Sequence, residues 1–508
     1  EERGCRQGRR VTMEEYRNAI ILSCVALYLV MCIVVGLWAL RRTKSAHDFF
    51  MAGRDLGIVV TGLAVFSSTL SGFGFVGGPG LVYRMGMSSL WMVVCSTMGF
   101  VLAFYLLGKR LRLFAELRES VSLPDAVASR YNSESARFMC ALAILLGVMG
   151  YLATQILAMA TVLQDILMAT FGPISIEACV AFSCAVLVFY CVTGGIIASV
   201  YTDLVQGFVM MIAAVLVLLA AIAAVEGGFA GMSEALLQDD PESIGPWGSI
   251  GIFGALSWYF VFALGLCGQP HINTKMLMNR RVEDTRSILP ISVVAYAVSA
   301  MLWISIGLVM RTLVVQGAHP ELTGSDAAAP QFLQGYAHPL LAGIVFAGLF
   351  AAIMSTADGF LNIGAAAVVH DIPTAFRGRK LDNELFWARI GTVIIAVIAS
   401  VFAVYSVRVG GELVAILGAF GWGTFAAALV PAVAIGFNWK RATATACNVA
   451  IAASLILNFT IKVGGFAVPY GIDVGALSLI VSLTLFFGIS LASKPPELDP
   501  DIEAVMDI

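Results

Sequence analysis

The sequence predicts an all-α polytopic membrane protein, and two observations support that prediction. Of the 508 residues, 59% are hydrophobic and 12% are charged, and the mean hydropathy is +0.90. Soluble domains carry about twice that share of charged residues, so the composition excludes a soluble or a disordered chain. The apolar residues are also grouped into segments of about 20 residues, the length that crosses a bilayer as a helix.

Thirteen apolar segments follow one another along the chain. They lie at residues 19–40, 57–82, 88–107, 138–167, 176–193, 197–225, 250–267, 289–312, 339–370, 385–405, 412–437, 443–461 and 475–491. We interpret each of them as one transmembrane helix. An odd number of spans places the two termini on opposite sides of the membrane.

The distribution of Lys and Arg gives the orientation. If the N-terminus lies outside, most of the 30 basic residues fall in inner loops, among them Lys275, which we place in the loop after the seventh span. Cytoplasmic loops carry an excess of basic residues, so we predict a protein of the cell (inner) membrane with its C-terminus in the cytoplasm. Residues 1–18 are then extracytoplasmic, and residues 1–12, which precede Met13, are interpreted as a non-native or upstream extension.

Helix-breaking residues interrupt two of the spans. The second span contains the run SSTLSGFGFVGGPG at residues 67–80, and the seventh ends in GLCGQPH at residues 265–271. Discontinuous helices expose backbone carbonyls that can coordinate an ion or a solute, and such a pair in corresponding positions indicates an inverted-repeat transporter. The alternative explanation is that these glycines only allow close helix packing.

The five-span separation of the two breaks predicts the domain organisation. The first repeat would be residues 57–225 (TM2–TM6) and the second residues 250–437 (TM7–TM11). One extra helix, TM1 at residues 19–40, precedes the repeats, and two, TM12 and TM13, follow at residues 443–491. Residues 494–508 form a short acidic cytoplasmic tail, which we predict to be disordered because it is rich in proline and charge.

Polar residues interrupt the ninth span in its middle. At 3.6 residues per turn, one stripe of this helix contains Ala352, Ser355, either Asp358 or Gly359, and Asn362. Their oxygen atoms suit a hard cation such as Na⁺, and an ionisable residue at membrane depth is by default a functional candidate. The alternative is that the hydroxyls of Ser355 and Thr356 bond back to carbonyls one turn earlier.

Four motifs resemble those of the sodium/solute symporter family, most closely its sodium/proline symporter branch. They are the run at residues 52–83, TGGIIASVYTDLVQG at residues 193–207, GQPH at residues 268–271 and MSTADG at residues 354–359. The resemblance implies the LeuT-type fold of two five-helix inverted repeats, and Na⁺-coupled uptake of a solute by alternating access.

The resemblance also implies an ion site, with Na⁺ as the coupling ion and no organic cofactor. The implied sodium ligands are the carbonyls of Ser67, Leu70 and Ala352 and the hydroxyls of Ser355 and Thr356. Asp203 and Asp358 are candidates for a second ion or for coupling. The family members that use the Asp203 position in this way have serines where this chain has Asp358 and Gly359, so Asp358 would strengthen the second site, hold a proton or pair with a basic group.

The implied substrate site is less similar to that of the proline-transporting branch. Its candidate residues are Thr69, Ser71, Phe73, Tyr151, Gln155 and Phe262. Thr69 stands where that branch has an aspartate, so the predicted substrate is a small polar solute, either an amino acid such as proline or a small carboxylate. Gln155 would hydrogen-bond such a solute or, alternatively, a neighbouring helix.

Three other functions compete with Na⁺ symport. A proton-coupled symporter would have the same fold, and a ligand-sensing transceptor would use the same bundle to signal. A membrane enzyme is disfavoured because the sequence contains no HExxH motif, paired catalytic carboxylates or nucleophile elbow. The expected partners are the lipid bilayer and a small-molecule substrate but no nucleic acid, and the transport unit is expected to be a monomer.

Overall fold

The computed structural model describes residues 16–72, 77–322, 324–408, 412–466 and 468–508, and within these ranges it leaves out the side chains of residues 326, 412–420 and 463. The described chain is mostly helical, and its extended pairing is limited to one bridge, between Leu56 and Asn279. Most of the predicted N-terminal segment, residues 1–18, and the predicted substrate residue Phe73 lie outside the described residues.

The helices are numbered here in chain order. The first ten are α1 Arg17–Leu40, α2 Ala46–Met51, α3 Ile58–Gly72, α4 Gly78–Met85, α5 Leu90–Ala103, α6 Lys109–Leu117, α7 Leu123–Tyr131, α8 Glu134–Phe171, α9 Ile176–Ala224 and α10 Gly228–Asp239. The others are α11 Gly251–Trp258, α12 Pro270–Leu277, α13 Thr285–Val315, α14 Ala328–Gly335, α15 Pro339–Ala366, α16 Ile372–Arg377, α17 Glu384–Arg408, α18 Glu412–Leu429, α19 Ala444–Val463, α20 Val474–Ala492 and α21 Pro500–Met506.

In the described part of the chain, ten helical stretches are long and apolar enough to cross a membrane, and two more apolar helices are shorter. This confirms a polytopic helical membrane protein, whereas the count of thirteen spans stays a prediction. Part of the difference lies in α9, which joins the predicted fifth and sixth spans across a non-helical Gly195 with φ 53°. Tyr190 and Ser199, on either side of it, both donate to the carboxylate of Asp358. In a straight helix they would be about 13.5 Å apart along the axis, so α9 bends sharply at Gly195.

Both interrupted spans contain residues with non-helical backbone. In α3 the break is at Ser71, whose φ is 50° and ψ is 175°, and the next described helix, α4, begins at Gly78. In the seventh span a 3₁₀ turn, Gly265–Gly268, ends at Gln269, which is extended (φ −75°, ψ 111°) and leads into α12. Irregular backbone at membrane depth is tolerated only inside protein or along a cavity, so each break marks an internal site.

Helix α15 lies at the centre of the bundle. Every side chain from Val345 to Ala366 is buried, and the helix packs against α1, α3, α8, α9 and α17. The small residues along it allow these neighbours to approach closely. Its polar residues therefore face other helices rather than lipid.

The predicted disorder of the acidic tail is wrong, because the tail ends in the helix α21. Ile502, Val505 and Met506 are buried, and their spacing of three and four residues forms one apolar face. Ion pairs join the acidic residues in and beside α21 to two basic residues elsewhere in the chain. Arg118 contacts Asp499 and Asp501, each at 2.7 Å, and Lys440 contacts Asp507 at 2.7 Å and Glu503 at 3.0 Å.

We expect the docking of α21 to be insensitive to pH between about 5 and 9. Slight burial acts to raise the pKa of Asp501, but the Arg118 guanidinium outweighs this effect and lowers it. The carboxylates of Asp507 and Glu503 raise the pKa of Lys440. The Asp501 contribution is lost only as the pH falls through that lowered pKa, and the Lys440 contribution only as it rises through the raised one. Hydrogen exchange of the α21 amides, expressed as the ratio of the intrinsic to the observed exchange rate at each pH, measures the docking.

The matched variants for this prediction are Arg118→Ala and Arg41→Ala. Arg118→Ala removes both contacts to Asp499 and Asp501 and should speed exchange of the α21 amides several-fold, whereas Arg41→Ala, at the end of α1, should leave it unchanged. A protection factor of the α21 amides that falls between pH 8 and pH 6 in the unaltered protein would contradict the assignment of these ion pairs.

Candidate ion and solute site

The unwinding end of α3 meets the middle of α15 through hydroxyl-to-carbonyl contacts. The Ser355 hydroxyl lies 2.9 Å from the carbonyl oxygen of Ser67, and the Thr356 hydroxyl lies 3.0 Å from that of Ser68. Both hydroxyls are also within reach of the Ala352 carbonyl, at 3.1 Å and 3.2 Å. Ser355 and Thr356 therefore bond back to a carbonyl of their own helix, as the alternative explanation predicts. They also contact the carbonyls of α3.

Five oxygen atoms consequently face one another between α3 and α15. They are the carbonyl oxygens of Ser67, Ser68 and Ala352 and the hydroxyl oxygens of Ser355 and Thr356. None carries a full charge, and each hydroxyl has a single hydrogen and two lone pairs, so it can turn its lone pairs toward a cation. Such a set of neutral hard ligands suits a monovalent cation that must be released again.

The structure differs from the predicted ligand set at one backbone position. The second carbonyl of α3 that α15 contacts belongs to Ser68 rather than to Leu70. Leu70 is buried one residue before the break and lines the adjoining cavity. Its role as a ligand stays a prediction. The Ser67 hydroxyl is buried and has no hydrogen-bond partner within the described residues.

Asp203 forms a buried ion pair that the sequence reasoning did not predict. Its Oδ2 lies 2.7 Å from Nζ of Lys275, and the two side chains are 0% and 1% exposed. The placement of Lys275 in the loop after the seventh span is therefore wrong. After the break at Gln269 the chain turns back into helix α12, which is still inside the bundle, and carries Lys275 to the side of α3.

Asp358 contacts two hydroxyl groups. Tyr190 donates to Oδ2 at 2.9 Å and Ser199 donates to Oδ1 at 2.7 Å. The amide of Asn362 donates to the Asp358 backbone carbonyl, so the side chain of Asn362 supports α15 itself. Of the described ion pairs none includes Asp358, because the nearby lysine is engaged by Asp203.

A cavity of about 910 Å³ adjoins the break in α3. Its lining includes the candidate substrate residues Thr69, Ser71, Tyr151, Gln155 and Phe262. Arg84, Asp165 and Asp473 also line it, and all three lie near the helix ends that the sequence predicts to face outside. The volume is ample for a small solute.

Two hydrogen bonds organise the base of this cavity around the broken backbone. The Tyr151 hydroxyl donates to the Ser71 hydroxyl at 3.1 Å, and Oε1 of Gln155 accepts from the backbone N–H of Gly72 at 3.1 Å. The carbonyl end of Gln155 thus bonds to a neighbouring helix. Thr69 bonds back to the Val65 carbonyl at 2.8 Å. The same broken segment therefore borders the ion site on one side and the cavity on the other.

A bundle of membrane-length helices, one of them broken beside a cluster of oxygen ligands and a cavity, indicates a secondary membrane transporter. The model of the sodium:solute symporter family matches residues 49–456, so the chain belongs to that family. It is therefore a transporter rather than an enzyme, and the predicted family membership is confirmed.

Two individual transporters are also similar to this chain over most of its length. The sodium/proline symporter of Escherichia coli (strain K12) is 29% identical over 495 residues, which cover 94% of this chain and 93% of the relative. The osmoregulated proline transporter OpuE of Bacillus subtilis (strain 168) is 27% identical over 488 residues, with 94% and 95% covered.

A solved structure shows the fold. The chain resembles a Na⁺-coupled sialic acid symporter in its substrate-bound outward-open state, with a TM-score of 0.79, 20% identity, and coverage of 94% of this chain and 99% of that one. At this identity the likeness shows the fold alone. The prediction of a LeuT-type helical fold is thereby confirmed.

Proposed function

We propose that this protein is a Na⁺-coupled symporter that imports a small polar solute, either an amino acid such as proline or a small carboxylate. The observation that carries the proposal is the meeting of the Ser355 and Thr356 hydroxyls with the Ser67 and Ser68 carbonyls at the break in α3. Family membership supports Na⁺ as the coupling ion, and the names of the two bacterial relatives support an amino acid as the solute.

The geometry suggests how ion and solute would be coupled. Na⁺ would join α3 to α15 and replace the direct hydroxyl-to-carbonyl contacts between them. The adjacent residues Ser71 and Gly72 already bond to Tyr151 and Gln155 of α8 at the base of the cavity. An ion that fixes the end of α3 therefore also fixes the donors that a solute meets, so each ligand favours the arrangement that binds the other.

The substrate assignment rests on the chemistry of the cavity base. The candidate residues there are neutral, with hydroxyls on Thr69, Ser71 and Tyr151, an amide on Gln155 and the aromatic ring of Phe262. Neutral donors orient a polar solute, and a bound Na⁺ would offset a carboxylate. The ring of Phe262 would contact the apolar part of the solute.

Sodium supplies enough free energy for accumulation. One charge that moves through 100 mV gains about 2.3 kcal/mol. A tenfold Na⁺ gradient adds about 1.4 kcal/mol. Together, about 3.7 kcal/mol per ion supports accumulation of a neutral or zwitterionic solute by roughly several hundredfold. A second ion would square this limit, so the number of Na⁺ ions per solute decides how steep a solute gradient the protein sustains.

The remaining architecture is part of the same proposal. The repeats at residues 57–225 and 250–437 would move against each other around the fixed site, as in other inverted-repeat transporters. The N-terminus would lie outside and the C-terminus, with α21, in the cytoplasm of a cell whose inner membrane holds the protein. Each monomer would form a complete transport unit.

Reconstituted protein tests the function. A thermal-shift screen against amino acids and small carboxylates, in Na⁺ and in K⁺ buffer, identifies solutes that raise the melting temperature. Uptake of radiolabelled L-proline and of each such solute into proteoliposomes is then measured with Na⁺ and H⁺ gradients imposed separately. We expect uptake with the Na⁺ gradient alone. Uptake driven by the H⁺ gradient in the absence of Na⁺ would instead establish the proton-coupled symporter, and binding without uptake the transceptor.

A further inference from the structure

The ammonium group of Lys275 is surrounded by oxygen ligands much as a bound metal cation would be. Its Nζ lies 2.9 Å from the carbonyl oxygen of Ala64 and 2.7 Å from Oδ2 of Asp203, and it also contacts the hydroxyl of Ser68. An ammonium has three donors, and these three oxygens satisfy all of them. A carbonyl, a hydroxyl and a carboxylate are also the ligand types of a sodium site.

This oxygen cluster is adjacent to the proposed sodium site. Ser68 contributes its hydroxyl to the cluster around Lys275 and its carbonyl to the contact with Thr356. The Ser68 hydroxyl also lies 3.2 Å from the Ser355 carbonyl, which links the two clusters a second time. A cation in either cluster therefore affects the free energy of a cation in the other, since charges interact strongly in a buried site.

The charges of the buried centre favour a single sodium ion. Lys275 neutralises Asp203, so Asp358 is the one other group among these three that can carry a negative charge. Asp358 can therefore offset at most one Na⁺ at the Ser355 and Thr356 hydroxyls, whereas a second Na⁺ would leave an uncompensated positive charge at membrane depth. Buried charges are costly unless they are paired, so the neutral arrangement is preferred.

We infer that the Lys275 ammonium is a built-in cation that occupies the place of a second sodium ion, and that the protein therefore couples one Na⁺ to each solute. Asp203 is then the counter-ion of Lys275 rather than a ligand for sodium. Lys275 also positions the ion site, because it joins α12 to α3 and α9 at the turn of α3 that supplies the Ser67 and Ser68 carbonyls. This inference rests on the proposed Na⁺-coupled function.

Counting bound ions tests the inference without knowledge of the solute. Binding of radioactive sodium to the purified full-length protein is measured in choline buffer by equilibrium dialysis. We expect one ion per chain and a Hill coefficient of one for the unaltered protein. In Lys275→Met, which keeps the length of the side chain and removes its charge, Asp203 becomes available and we expect two ions per chain. Lys380→Met, at an exposed lysine, is the control and should bind one ion.

Each outcome decides between the proposals. Two ions on the unaltered protein would overturn the role of Lys275 and leave Na⁺-coupled symport standing, whereas no saturable binding would contradict both. A Lys275→Met variant that binds one ion with unchanged affinity would also overturn the inference. Where that variant does not fold, Lys275→Met combined with Asp203→Asn removes both charges and should still bind one ion; loss of that ion would mean that the pair belongs to the sodium site itself.

Discussion

Replacing Ser355 and Thr356 together with alanine is expected to abolish Na⁺-dependent uptake. The double change removes two of the five oxygens that face one another between α3 and α15 and leaves the carbonyls of Ser67 and Ser68 buried without their partners. A hydrogen bond or ligand contact to a charged group contributes about 1.5–3 kcal/mol. The two losses together should raise the half-saturating Na⁺ concentration more than hundredfold.

The control variants separate loss of the ion site from loss of the fold. Thr356→Ser keeps a hydroxyl at the same position and should retain Na⁺-dependent uptake with a change of a few-fold. Thr392→Ala removes a buried hydroxyl that bonds back to Ala388 at 2.9 Å on α17, away from the site, and should leave the Na⁺ dependence unchanged. If the double alanine variant took up solute with the Na⁺ dependence of the unaltered protein, the proposed sodium site would be wrong.

The polar stripe of α15 could be predicted from the sequence because it depends on the residues of one helix alone. Ser355 and Thr356 stand in an apolar segment long enough to cross the membrane, and the helical period places Ala352 and Ser355 on one stripe. The break in α3 was accessible for a similar reason, since it follows from a local run of Gly and Ser. The contact between α3 and α15 depends on the topology of the whole bundle. That topology was predicted from the resemblance to a family.

The burial of Lys275 could not be predicted from the sequence because the helix break at Gln269 precedes it. A hydropathy segment ends at the Gly and Pro residues around Gln269, so the next eight residues, α12, resemble the start of a loop. The chain instead continues as a short helix inside the bundle. One signal was present: Asp203 lies within an apolar segment, and a buried carboxylate requires a buried partner of opposite charge.

The prediction of a disordered tail was wrong because it used the composition of the tail and overlooked the helical spacing of its apolar residues. Proline and acidic residues in residues 494–508 are typical of disorder, yet Ile502, Val505 and Met506 have helical spacing. Such a short helix has little stability alone, so it forms here because its apolar face is covered. The surface that covers it is assembled from segments distant in sequence, near Arg118 and Lys440, which no local reading of the tail reveals.

Gln155→Met is expected to impair solute binding at the break in α3. The methionine side chain has the same length but lacks the carbonyl oxygen that accepts from the Gly72 N–H at 3.1 Å. A buried N–H without a partner costs about 1–3 kcal/mol, so the arrangement of the broken backbone that binds solute becomes less populated. We expect the half-saturating solute concentration to rise about tenfold to a hundredfold, measured as initial uptake rates in proteoliposomes at saturating Na⁺.

A conservative change and a distant one test whether the Gly72 contact is responsible. Gln155→Glu keeps an acceptor oxygen for the Gly72 N–H, so it should bind a solute without a net negative charge more tightly than Gln155→Met does. Gln164→Met alters the same helix α8 at a glutamine that donates to the Ile174 carbonyl at 2.7 Å, and should leave solute affinity unchanged. Unaltered solute affinity in Gln155→Met would show that the backbone at Gly72 holds its position without this hydrogen bond, and the coupling of ion and solute through α3 would then need another route.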